Sequence, residues 1–134
     1  RADLLAGREP DTSGLPPALA AIFGPATRDY LRELSGFDPA AALAATDLPT
    51  LILHGDADFQ VPPAEGDPLA AVRPDAERVI LSGLTHILKE ATPPELAESP
   101  EAFIAASYAT YLDPTLPLHP LLIPTLTRFI LAER

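Results

Sequence analysis

Thr50-Leu-Ile-Leu-His-Gly-Asp-Ala-Asp-Phe-Gln-Val-Pro62 is the stretch on which the reading of this chain turns. Leu51-Ile52-Leu53 is an apolar run without alternation, the pattern of a strand buried on both faces, as in a parallel sheet. The run breaks at His54-Gly55 into Asp56 and Asp58, so both carboxylates fall beyond the strand's carboxyl end. Open α/β sheets carry their chemistry there. Val61-Pro62-Pro63 then forces a turn, and a helix near 66–73 must close before Pro74. A second apolar run, Val79-Ile80-Leu81, ends in Ser82-Gly-Leu-Thr-His86. The spacing predicts an α/β arrangement of strand 50–54, helix and strand 78–82 within about thirty residues. Two parallel strands joined by a right-handed crossover would bring Asp58 and His86 to neighbouring strand ends.

Upstream, the pattern predicts short helices punctuated by proline and glycine. Residues 1–14 carry little pattern and read as loop or a frayed turn. Pro16 to Phe23 forms one helix with Gly24 as its stop, and Pro25 to Ser35 a second, ended by Gly36. Tyr30, Leu31 and Leu34 share one face of the second. Asp38-Pro39 caps and opens a third over 40–45, which Leu48-Pro49 ends. The Asp-Pro pair recurs at Asp67 and Asp113 as the same helix opening. Downstream, Lys89 to Pro94 reads as loop, and Ser99-Pro100-Glu101 opens a helix to about Tyr111. Leu122, Leu126, Phe129 and Ile130 define the apolar face of a final docking helix to near Ala132. Pro124 fits that helix only if the helix starts close to it.

Composition narrows the function classes. The chain has 134 residues, enough for one modest core, and its 47% hydrophobic content argues for a folded chain despite 17 prolines. A net charge of −10 disfavours nucleic acid and anionic membrane surfaces as partners. There is no Cys, so thiolate and disulfide chemistry are excluded. No apolar run reaches the length of a membrane span, and the N-terminus lacks a signal-peptide pattern, which favours a cytoplasmic location. A chain without Met that opens on Arg1 is expected to be part of a longer protein or a processed product.

Three functional readings compete for Asp56 and Asp58. A calcium loop fails because its sixth position, which needs glycine, is Val61, followed by two prolines. An Asp-x-Asp phosphatase site needs a lysine and further acids for magnesium; the sole lysine is Lys89, and no acidic cluster follows the second strand. The third reading makes Asp58 the acid that orients His86, fixing the imidazole tautomer and stabilising its protonated form. Against all three stands the plain structural alternative, in which both aspartates only satisfy a strand-end turn. His54 reads as a packing or hydrogen-bonding residue at its strand end, and His119 as the start of the last helix.

Asp38-Pro-Ala-Ala, Leu48-Pro-Thr-Leu-Ile-Leu-His-Gly-Asp-Ala-Asp58-Phe-Gln-Val-Pro and Val79-Ile-Leu-Ser-Gly-Leu-Thr-His86-Ile-Leu-Lys together resemble the C-terminal third of an α/β-hydrolase. The flavour is that of bacterial serine hydrolases of the esterase or aminopeptidase-like kind. The resemblance runs from about Leu15 to the end. It implies helical cap-region segments and linker over 1–47, and over 48–134 the C-terminal part of the hydrolase core, closed by a C-terminal helix. It further implies that Asp58 is the triad acid, His86 the general base and Asp56 a turn residue. The reaction would be hydrolysis of a small-molecule ester or related acyl bond without cofactor or metal. The family's nucleophile is the serine of Gly-x-Ser-x-Gly. None of Ser13, Ser35, Ser82, Ser99 or Ser107 has glycines so placed. The family order Ser–Asp–His puts the nucleophile and oxyanion hole upstream of Arg1. The missing N-terminal half, or a second copy of the chain, is then an expected partner. The competing class is a non-catalytic, hydrolase-like binding or assembly module.

Overall fold

Proline and glycine cut the N-terminal part of the chain into short helices. The structure, a computed structural model, describes residues 2–15 and 17–132, apart from the side chains of residues 18 and 19. Pro16, expected to open the first helix, lies outside the described residues. The chain divides at Pro39/Ala40 into two compact units.

In the first unit, α1 (Ala2–Leu5) is a single helical turn within the stretch read as loop or a frayed turn. Gly7, at φ +70°, ends it, a left-handed position glycine adopts without a Cβ penalty. The expected first helix is split into α2 (Pro17–Ala20) and a 3₁₀ turn, Ala21–Phe23. Next comes α3 (Pro25–Gly36), with Pro25 in the first turn. Gly36 is its last residue rather than the stop beyond it, and Phe37 leaves extended. α1 packs against α3 and buries Leu4. The expected apolar face of α3 stays open: Tyr30 and Leu34 are exposed, because one turn of helix covers too little of a twelve-residue neighbour.

α4 (Pro39–Ala44) follows, and the second unit is built on a sheet. β1 (Leu51–Gly55) and β2 (Glu77–Leu81) pair in parallel, with Leu51 opposite Glu77 and Gly55 opposite Leu81. The crossover between them holds a 3₁₀ turn, Pro63–Gly66, and α5 (Asp67–Val72). The protein is therefore α/β, with a small parallel sheet. Among the described residues β1 has β2 as its one hydrogen-bonded neighbour. Its two faces are covered unequally: Ile52 is buried, while Leu53 packs beside the cluster of Leu81, Leu84 and Leu122. The second strand is covered on one face only. Val79 and Leu81 turn inward, whereas Arg78 and Ile80 are exposed.

Arg73 holds the entry to the sheet. Its side chain is almost buried and donates to the carbonyls of Thr46 (2.8 Å) and Leu48 (2.9 Å) while pairing with Asp75. The segment before β1 is thereby tied to the turn before β2.

α6 (Pro100–Leu112) opens as expected, the Ser99 hydroxyl accepting from the Ala102 amide at 3.1 Å. Its most buried residues are Ser107 and Thr110, small polar side chains that allow close approach. Asp113-Pro114 opens no helix, contrary to the sequence reading. Asp113 instead accepts from the Thr115 amide in a turn (2.9 Å), since Pro117 lacks an N–H that a first helical turn would need. α7 (Leu122–Ala132) begins close to Pro124, which its first turn tolerates. Leu122 and Leu126 contact the core, but Ile130 is exposed beyond the end of the small sheet. Among the described residues no helix is long and apolar enough to cross a membrane.

Candidate active site

Two turns, one after each strand, build the site. After β1, the Asp56 amide still bonds the Leu81 carbonyl (3.3 Å), and the chain then turns through Ala57, which is fully buried. Ser107 of α6 holds this turn, its hydroxyl donating to the Ala57 carbonyl at 3.0 Å. After β2, Gly83 takes a left-handed conformation at φ +83°, and an added Cβ there would lie 2.8 Å from the Ala91 carbonyl oxygen. Only glycine lets this loop fold back so closely. Gly55 has the same logic at β1's end: a Cβ would lie 1.9 Å from the Leu84 carbonyl oxygen. The two turns are clasped by Asp56, whose Oδ1 accepts from the Gly83 amide at 2.6 Å.

These turns bring Asp58 and His86 together. Asp58 Oδ2 lies 2.9 Å from His86 Nδ1. The other carboxylate oxygen accepts from the amides of Gln60 and Val61, both at 2.9 Å. Those donors orient the carboxylate, whose side chain is 12% exposed, while the imidazole is 42% exposed. With Nδ1–H donated to an ionised carboxylate, Nε2 keeps its lone pair. Among the described residues Nε2 has no hydrogen-bond partner, so it is available to accept a proton. Beside the pair lies a cleft of about 220 Å³, with Val61, Leu84 and Leu88 in its wall.

The remaining residues singled out in the sequence fall elsewhere. Asp56 does not face His86; it bridges the two turns, a longer reach than the local strand-end turn implied by its sequence position. His54 packs beside Gly66, where a Cβ would sit 2.5 Å from the ring's Cε1, and its buried Nδ1 has no hydrogen-bond partner among the described residues. Lys89 donates to the Asp113 carbonyl at 2.6 Å, so it caps the end of α6 and is not the partner of an Asp-x-Asp site. Among the described residues no three His, Asp or Glu side chains group as ligands for a metal ion. His119, read from sequence only as a helix start, is buried and bonded to the loop that carries His86. Nothing in the flanking Leu118-His-Pro signals that contact.

No protein-family model, curated protein or solved structure matches this chain.

Proposed function

We propose that this chain supplies the acid and base of a Ser-His-Asp hydrolase of α/β-hydrolase type, acting on a small-molecule ester or related acyl bond. The observation that carries the reading is the 2.9 Å bond between Asp58 and His86 beyond two parallel strand ends, with Nε2 open. In that role His86 Nε2 takes the proton of a serine as the hydroxyl attacks the acyl carbon. It then returns the proton to the leaving group, while Asp58 stabilises the imidazolium. Asp56 and the amides of Gln60 and Val61 hold the geometry without touching substrate. No cofactor is needed for acyl transfer through an acyl-enzyme.

The nucleophile would come from outside these 134 residues. Ser107 is buried on Ala57 and Ser99 caps α6, so both are engaged in structure. The edge of β1 that has no strand beside it among the described residues is where a further strand, from a longer protein or a second copy, would add. The second reading, a non-catalytic binding or assembly module, is favoured by that same engagement of the serines.

A fluorophosphonate probe separates the two. The 134-residue chain should remain unlabelled, whereas a protein containing it with a Gly-x-Ser-x-Gly segment should label at that serine and hydrolyse a nitrophenyl ester. His86→Ala should abolish turnover, and Asp58→Asn should cost orders of magnitude by favouring the wrong tautomer. Full turnover in His86→Ala, or labelling of one of the chain's own five serines, would overturn the assignment.

A further inference from the structure

We propose that His119 is a positioning residue for the Asp58–His86 pair, a role that rests on the acid–base reading of that pair. His86 sits at the tip of a loop closed at its base by the Ala91 amide on the Gly83 carbonyl (2.8 Å). Higher up, the Thr85 amide and hydroxyl both bond the Lys89 carbonyl at 2.9 Å. Leu88 in this loop has φ +66°, a left-handed conformation unfavourable for a residue with a Cβ. Such a conformation persists only where surrounding contacts over-determine it.

His119 makes two of those contacts, one on each side of His86. Its backbone amide donates to the Leu88 carbonyl at 2.8 Å, and its ring Nε2 bonds the Ser82 carbonyl at 3.0 Å. The Leu121 amide lies 3.3 Å from Nδ1. An amide can only donate and a carbonyl can only accept, so the ring is neutral with its proton on Nε2. At 3% exposure the imidazole is shielded from solvent, so its removal would take from the Ser82 carbonyl its side-chain donor. The neighbouring pairing of Leu118 with Lys89 continues the same support. One residue therefore fixes the distance between Ser82 and Leu88, and with it the direction from which His86 meets Asp58.

The chain has three histidines, so two-bond ring ¹H–¹⁵N spectra can assign each tautomer. The spectra are taken at about pH 9, above the range where free imidazole titrates. His119 should appear with the proton on Nε2, and His86 with the proton on Nδ1. His119→Leu keeps apolar volume and removes the side-chain donor; its His86 signal should lose the Nδ1–H pattern and average between tautomers. His119→Gln retains an N–H near the Nε2 position and should restore that pattern. A His119→Leu spectrum with His86 unchanged, or a folded His119→Gln that fails to restore it, overturns the proposal. If His119→Leu does not fold, the unsubstituted chain still decides: His119 protonated on Nδ1 overturns the proposal and Nε2–H supports it. These readouts need no turnover, so they stand apart from the labelling experiment that tests the hydrolase reading.

Discussion

Gly55→Ala is the substitution on which the site's geometry bears most directly. The new Cβ would lie 1.9 Å from the Leu84 carbonyl oxygen and 2.6 Å from the Leu84 Cβ. Ordinary contact begins near 3.4 Å, so about 1.5 Å of displacement is required. The obstacle is backbone, and Leu84 is 2% exposed in the core, so no flexible side-chain tip can yield. Overpacking of this kind costs about 1–3 kcal/mol, and a backbone clash belongs at the upper end. Alanine recovers about 0.4–1 kcal/mol by restricting the unfolded chain. The clash wins, leaving a net loss of roughly 2 kcal/mol, which for a domain of this size lowers Tm by about 8–16 °C. Leu84 lies two residues before His86, so the same displacement should open the 2.9 Å contact with Asp58. Circular dichroism melts measure the first effect, and His86 ring ¹⁵N shifts the second. Gly14→Ala, whose Cβ meets nothing within 4 Å, is the control and should show no loss, only a gain of up to about 1 kcal/mol. A Gly55→Ala protein that melts with the parent and keeps His86 on its Nδ1–H tautomer would show that neither the core nor the site feels the clash.

Two further outcomes follow from individual contacts. Ser107→Ala removes the donor to the fully buried Ala57 carbonyl and should destabilise by about 1–3 kcal/mol in urea titration; a change under 0.5 kcal/mol would mean that the turn is held without α6. Asp75 is held down to about 2 by its hydrogen bonds to the Arg73 guanidinium, aided by a backbone amide. Its folded pKa lies below the ordinary 3.8, so its stabilisation is present above that value and is lost as pH falls towards about 2. The gap in urea midpoint between the parent and Asp75→Asn should therefore be constant near neutrality and close as the solution is acidified from about pH 5. A gap that persists unchanged at pH 2 would show that the pair acts through packing of the Arg73 stem.

Elements with local signals are legible from the amino-acid order alone. The unbroken Leu51-Ile52-Leu53 and Val79-Ile80-Leu81 runs, separated by one short helix, determine parallel strands, because their spacing leaves no other simple connection. The Ser99 cap and the helix start near Pro124 are equally legible, since proline and hydroxyl chemistry act within one turn. Parallel pairing put Asp58 and His86 at neighbouring strand ends and the sequence singled out Asp58 over Asp56, whereas the 2.9 Å contact depends on turns held by Asp56 and Ser107. Features that rest on long-range contacts emerge with the folded chain. Asp56 reaches across to Gly83, Ser107 reaches Ala57 from α6, and His119 grips Ser82 and Leu88 from beyond it. Some local signals also led nowhere: Asp113-Pro114 became a turn through its own contact with Thr115, and Tyr30, Leu34 and Ile130 stay exposed because no described element of their units covers them. A hydrogen bond between residues fifty positions apart leaves no period in a sequence. It exists because the fold brings a donor to a buried carbonyl that would otherwise lose its water unpaired.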